Sequence, residues 1–367
     1  MGKRELLLIA GFIVLGALAY QFTAPAARPG ESRFSLSNIF NNVRREMRGN
    51  PASVTITRSD ALPVTDAISE VRISGVNGKL EVRGEARTDI AYELQIESNG
   101  PDDATARSLA ERVTLRRDDL GSSLALRLIF PREARQRAGM VIRVPARLAV
   151  RLDGGSATVS QVGAVHLEGV VGDATVSDIE RGVTGTHRNG ELKLTNAASA
   201  SLTLVSSNAT ISGVRGTITL NARNGECTIE DPKGAIEIDE NNQEVTIRRP
   251  AASVRVTGSS GRITIERPRA EVRVDARRAE VEVTLDAAVP VTALTTDDTL
   301  RLLLDGPPSV VVDAVATEGG TVQARDFELD ATVSESEQHL AHAFGAPGGA
   351  RVSLRNQHGE IVIRKAK

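Results

Sequence analysis

Apolar residues recur along this chain in two rhythms. The shorter is strict alternation: Ile218 and Leu220, Ile236 and Ile238, Val254 and Val256, and Val272 and Val274 flank the polar Thr219, Glu237, Arg255 and Arg273. That is the period of a strand with one buried and one wet face. The longer rhythm links strand to strand. Val159, Val176, Leu194, Ile211, Ile229, Ile247, Ile265 and Val283 are separated by 17, 18, 17, 18, 18, 18 and 18 residues. A period this regular predicts stacked units, each at an equivalent level of a repeat.

Other columns keep the same register. Four residues before each anchor stand Gly155, Gly172, Gly190, Ser207, Gly225, Gln243 and Gly261, and Asn189, Asn224 and Asn242 precede three of these. Asn-Gly pairs adopt the positive φ angles of tight turns, so this column predicts a turn. The columns two before the anchors (Ala157, Ala174, Leu192, Ala209, Cys227, Val245, Ile263) and three after them (Val162, Ile179, Ala197, Val214, Pro232, Pro250, Pro268) are apolar and are expected to point inward. Two short strands per ~18 residues, closed by turns, predict an all-β, single-stranded-coil β-solenoid whose coils pair in parallel at ~4.8 Å per level. An antiparallel meander of equal hairpins is the alternative. Less regular strand patterns flank the repeat at 71–82, 90–96, 113–116, 124–129 and 140–144, and again at 299–304, 309–312, 322–324, 350–354 and 360–363; they are expected to form β-rich caps over its open edges. One short helix is expected over Asp103–Arg112.

The N-terminus departs from both rhythms. Lys3 and Arg4 precede an apolar run from Leu6 to Tyr20, on the border between a signal-peptide core and a spanning helix of ~20 residues. The expected organisation is a transmembrane or signal segment over 1–27, a polar tether over 28–67, an N-terminal cap over 68–149, the solenoid over 150–286 and a C-terminal cap over 287–367. Either form of the N-terminal segment exports the body. Arg28, Arg33, Arg44, Arg45 and Arg48, beyond the apolar run, argue for the opposite orientation, because Lys and Arg are enriched on cytoplasmic flanks.

Composition narrows the function. The 367 residues carry a net charge of −2, with no basic excess to advertise nucleic acid. Aromatic residues are 2% of the chain and Trp is absent, which suits a narrow aliphatic core. The single Cys227 excludes an internal disulfide framework and falls in an inward column.

The pieces VRISGVNGKLEV, MVIRVPARLAVRLDGGSATVSQV, the serial NGELKL and NGECTI units and the ending GAPGGARVSLRNQHGEIVIRK resemble the bacterial putative adhesin family of β-solenoid envelope proteins, also catalogued as a domain of unknown function. The resemblance spans about residues 68–367. It implies a repetitive β-rod, often membrane-tethered, with an adhesive role and no catalytic residues to carry across. Ser207 and Gln243 depart from the glycine of the turn column.

Candidate chemistry is sparse. His339 and His342 in QHLAH read as a surface helical turn rather than a metal pair, because no third ligand is near in sequence. His166, His187 and His358 stand alone. Asp231, Asp239 and Glu240 are the set a polysaccharide-cleaving solenoid would use as acid and base, but acidic residues are scattered among arginines through the repeat. No catalytic residue, metal site or cofactor is expected. An outward column of Thr158, Thr175, Lys193, Thr210, Thr228, Thr246 and Thr264 runs beside the anchors, followed by Ser160, Ser177, Thr195, Ser212, Glu230, Arg248 and Glu266. The charged end of this face is expected to satisfy itself in cross-strand ion pairs, leaving Thr158, Thr175 and Ser177 as the candidate binding face. The functional expectation is a non-enzymatic, membrane-tethered envelope solenoid acting in adhesion, scaffolding or envelope sensing. Its partner would be an envelope polymer or protein, or a second copy. The alternatives are a cytoplasmic-facing, self-assembling solenoid resembling bactofilin and a polysaccharide-acting enzyme.

Overall fold

The computed structural model describes residues 52–132, 136–346 and 348–366. The chain divides into two units, Met1–Ala52 and Ser53–Lys367, and it is the second that the description covers. The expected membrane segment over 1–27 and the first part of the tether, 28–51, lie outside the described residues. Residues expected to continue that tether instead begin with a strand, Ala52–Pro63, which pairs with the strand Asp89–Gly100. Among the described residues no helix is long and apolar enough to cross a membrane.

Ser53–Lys367 is almost entirely β. Each coil contributes one strand to each of two faces. On face A, Ile218–Leu220 pairs in parallel with Ile236–Ile238, then Val254–Val256, then Val272–Val274. On face B, Cys227–Ile229 pairs with Val245–Ile247, Ile263–Ile265 and Val281–Val283. Partners such as Ala200 and Ile218, or Thr210 and Thr228, lie 18 residues apart. A residue therefore sits above its equivalent in the previous coil, and an apolar column becomes a continuous wall. Alternation points Leu202, Leu220, Ile238 and Val256 from face A, and Ile211, Ile229, Ile247 and Ile265 from face B, into one shared core where all are buried. The columns of Val214, Pro232, Pro250 and Pro268 close the core at the second turn. Pro fits there because the position lies outside both hydrogen-bonded ladders.

Both ends are interlocked rather than simply stacked. The first coil, Glu70–Ser74 and Leu80–Glu85, is not the outermost one. Val71 pairs on one side with Leu124 and on the other with Val150, and Val82 pairs with Ile142 and Val159. The coil built from Ser123–Ile129 and Gln136–Pro145 thus lies outside a coil that precedes it in sequence. The C-terminus repeats the device: Ala350–Gln357 and Glu360–Lys365 insert between the coil of Val291–Thr296 and Leu300–Leu304 and that of Val310–Thr317 and Thr321–Ala324. Antiparallel strands then cover outer edges, Thr114–Asp119 on Ser123–Ile129, Asp89–Gly100 on Gln136–Pro145, and Glu337–Phe344 on Val310–Thr317. Covered edges offer fewer unpaired backbone groups to another chain.

The helix expected over Asp103–Arg112 spans Asp103–Glu111 and starts on Asp102, whose carboxylate accepts the Thr105 N–H at 2.7 Å. Its Ala106 and Ala110 are buried. The QHLAH segment corrects its expectation. It is a strand, Glu337–Phe344, so His339 and His342 point to opposite faces. His339 Nε2 lies 2.9 Å from Asp313, while His342 packs edge-on against Phe344.

Candidate functional site

The turn between face A and face B shows what its residues are for. The left-handed positions are Asn189, Ser206, Asn224 and Asn242, with φ between +51° and +56°. In the column that follows them the glycines also take positive φ, +97° at Gly172, +152° at Gly190, +158° at Gly225 and +112° at Gly261. Glycine is needed there for that angle and also for space: a Cβ on Gly190 would lie 2.5 Å from the Gly172 carbonyl carbon, and one on Gly225 would run into the Ser207 oxygen. The coils touch backbone to backbone at this corner. A second left-handed column stands at the opposite turn, occupied by Asp178, Asn196, Asp231, Arg249 and Arg267. Asn and Asp tolerate that conformation. Arg249 holds it while donating two hydrogen bonds to Asp231, at 2.7 and 2.8 Å.

Those contacts dissolve the acid and base set. Asp231 is engaged with Arg249 at one turn, and the hydrogen bonds from that guanidinium hold its carboxyl below the usual range. Asp239 and Glu240 belong to the opposite corner. Glu240 points inward at 2% exposure, in the column of Ala222 and Ala276, and its carboxyl fills the space that the absent Cβ of Gly258 leaves. Its Oε2 accepts the Gln243 N–H at 3.2 Å, and backbone N–H groups of Ser259 and Ser260 also support it. Oε1 has no partner, nor does either amide atom of Gln243. Burial outweighs the three N–H groups and pushes the Glu240 carboxyl up to about 7. Further along the same corner His187 is fully buried; its Nε2 donates to the Gly172 carbonyl and its Nδ1 faces the Ser207 hydroxyl, both at 2.7 Å. Burial holds that imidazole below its ordinary value. Cys227 is buried too, and its thiol is pushed up to about 12.

Thr158, Thr175 and Ser177 all lie on the outer side of face B. Thr158 pairs with Thr175 and with Glu81, and Ser177 pairs with Ser160. The first two are neighbours, and Ser177 belongs to the adjoining column. Further along face B, Arg248 bridges Glu230 at 3.0 Å and Glu266 at 3.6 Å. Arg262 reaches Glu280 at 2.9 Å and Glu244 at 4.0 Å.

Face A carries what the column beside the anchors concealed, a groove of about 720 Å³. Two outward columns line it, Thr184, Ser201 and Thr219 in one and Thr186, Thr203 and Asn221 in the next, continued by Glu237 and Asp239 and ending at Thr257. Its shape has a local cause. Gly185 replaces the leucine of the inward column between Leu167 and Leu202, and the ladder slips by one residue between Glu168 and Val170. Such a bulge bends and twists a strand. A second groove of about 480 Å³, at the corner over Glu240, shares Asn221, Asp239 and Thr257 with the first, so the two are continuous. The sequence signal for face A was the alternation of Thr219, Glu237, Arg255 and Arg273; the pairing of two hydroxyl columns was hidden by the 17-residue step from Thr184 to Ser201 and from Thr186 to Thr203. Among the described residues no group of three or more His, Cys, Asp or Glu side chains is placed to hold a metal ion.

Two parallel ladders facing one aliphatic core define the class of this molecule, a β-solenoid whose terminal coils are exchanged in order. Residues 68–323 match the Toastrack DUF4097 family, and the chain belongs to it. No curated protein matches at a significant level. Similar crystal structures include a putative cell adhesion protein from Clostridium sporogenes (9% identity, 86% of this chain and 100% of that chain, TM-score 0.18). Others are a putative adhesin from Bacteroides fragilis (12%, 86% and 99%, 0.20) and a putative lipid binding protein from Parabacteroides distasonis (11%, 85% and 97%, 0.32). At these TM-scores the fold rests on strand pairing and on the family match.

Proposed function

We propose that this chain is a non-enzymatic binding rod of the bacterial cell envelope, tethered by its N-terminal apolar segment, with its body exported and acting in adhesion, scaffolding or envelope sensing. The observation that carries the reading is the state of its carboxylates. Of the candidate acid and base set, Asp231 is held by Arg249 at one turn, Asp239 accepts the Asn221 amide on face A and Glu240 is folded into the core, so the three do not converge on one point. What remains outward is a long polar surface suited to contact rather than to bond cleavage. The run Leu6–Tyr20 behind Lys3 and Arg4 supports the tether. Covered outer edges weigh against end-to-end filament growth of the bactofilin kind. Protease added to intact spheroplasts is expected to digest the body, and a body protected until lysis would contradict the exported orientation. Cells carrying the full chain are expected to retain envelope material that cells lacking it do not.

A further inference from the structure

We propose that the groove of face A, rather than the Thr158 and Thr175 column of face B, is the binding site, and that it takes an extended, uncharged polyhydroxylated chain, a glycan strand. This rests on the binding-rod reading above and names its ligand class. The groove is lined by side chains that both give and take hydrogen bonds. Ser201, Thr203, Thr219 and Glu237 make none within the protein among the described residues, so these groups are open to a ligand. Carboxylate and hydroxyl at this density match sugar hydroxyls, which are donors and acceptors at once. Glu237 and Asp239 stand two residues apart on one strand, hence on the same side, and accept hydroxyl protons in the stronger, charge-assisted way.

Charge gives no pull toward a charged polymer. The lining of this groove contains Glu237 and Asp239 and neither Lys nor Arg. Arg255 stands beside Glu237 in the ladder, and Asp275, Arg223 and Arg277 line the continuous second groove, so both signs are present in balance and neither an acidic nor a basic polymer is favoured over an uncharged chain. Shape selects length. From Thr184 to Thr257 the polar positions repeat level by level over roughly 20 Å, at ~4.8 Å per level, so a linear chain lying along the rod meets equivalent groups again and again. No Phe, Tyr or Trp occurs between Val150 and Asp286, so no ring stacking adds to the contact with any one sugar. Binding accumulates along the strand, weak for a disaccharide and rising steeply with chain length as each added unit binds from within the complex.

The test is sedimentation of the full chain with insoluble chitin and with cellulose, both uncharged, alongside titration with chito-oligosaccharides of two to eight units and with heparin as the acidic polymer. Variants Thr203→Arg and Glu237→Gln change the groove; Thr228→Arg changes face B and serves as the control, with circular dichroism confirming that each folds. Expected are binding to an uncharged polymer, affinity rising with oligomer length, weak binding of heparin, and a loss of about tenfold for each groove variant with none for Thr228→Arg. Preference for heparin, or absence of binding to every uncharged polymer, overturns the ligand class while leaving envelope retention by cells to judge the binding-rod reading. Loss of binding in Thr228→Arg with the groove variants unaffected overturns the choice of face.

Discussion

At the scale of single residues, the corner between the two faces is where chemistry and stability meet. Glu240 is buried with one oxygen unpartnered, and burial raises its carboxyl from the ordinary 4.5 to about 7. A carboxyl raised on folding stabilises the protein fully below its unfolded value, and that contribution is lost as pH climbs from about 4.5 through about 7. The loss is on the order of 3 kcal/mol at 1.36 kcal/mol per unit. Glu240→Gln, which stays neutral, is therefore expected to melt well above the wild type at pH 8 and close to it at pH 4.5; an equal difference at both pH values would contradict the assignment. The neighbouring turn column gives a second prediction. Gly225→Val drives a side chain into the Ser207 backbone and should cost about 1–3 kcal/mol. Gln243→Gly removes an amide with no partners and should be neutral or stabilising in the same thermal melts. The sequence showed that a turn lay here, because Asn189-Gly190 and Asn224-Gly225 recur in register. It did not show that the glycine also lets the coils touch backbone to backbone, nor that His187, Ser207, Glu240 and Gln243 form a buried polar corner, since each alone looks like an ordinary strand or turn residue.

At the scale of elements, alternation and the 18-residue recurrence made the strands of the repeat legible in advance, because every inward column is filled by Ile, Val, Leu or Ala at a fixed offset. The order of the terminal coils was not legible. Val71 finds Leu124, 53 residues away, and Val291 finds Val352, 61 residues away, and periodicity reports only neighbours one repeat apart. The inserted last coil is fastened at its turn by His358, whose Nδ1 lies 3.2 Å from Asp297 of the coil on one side and whose Nε2 lies 2.6 Å from Glu318 on the other. Ending the chain after Ala346 would remove the neighbour that Val310–Thr317 and Thr321–Ala324 pair with in parallel. Hydrogen exchange is expected to show rapid exchange across 310–324 in that truncation, with 218–285 still protected. Unchanged protection of 310–324 would contradict the interlocked order. Closing such distant pairs also predicts slow folding, on the side of all-β proteins with large sequence separation between contacts.

At the scale of the whole molecule, the two faces divide the work. The far end of face B is laced by Arg248, Arg262 and their carboxylate partners, exposed pairs worth only ~0–1 kcal/mol each, which favour the observed register and keep the surface polar. Face A instead leaves the hydroxyls of Ser201, Thr203 and Thr219 and the carboxylate of Glu237 open in a continuous groove that also carries Arg223 and Arg277. On the function proposed above, this rod holds an envelope polymer without altering it. The measurement that tests it most directly is to incubate the full chain with uncharged polysaccharide, recover the bound fraction, and determine the polymer's chain length before and after. Protein is expected to sediment with the polymer at unchanged chain length; polymer shortened in proportion to incubation time, or protein left wholly in solution, would rule out a rod that binds without cleaving.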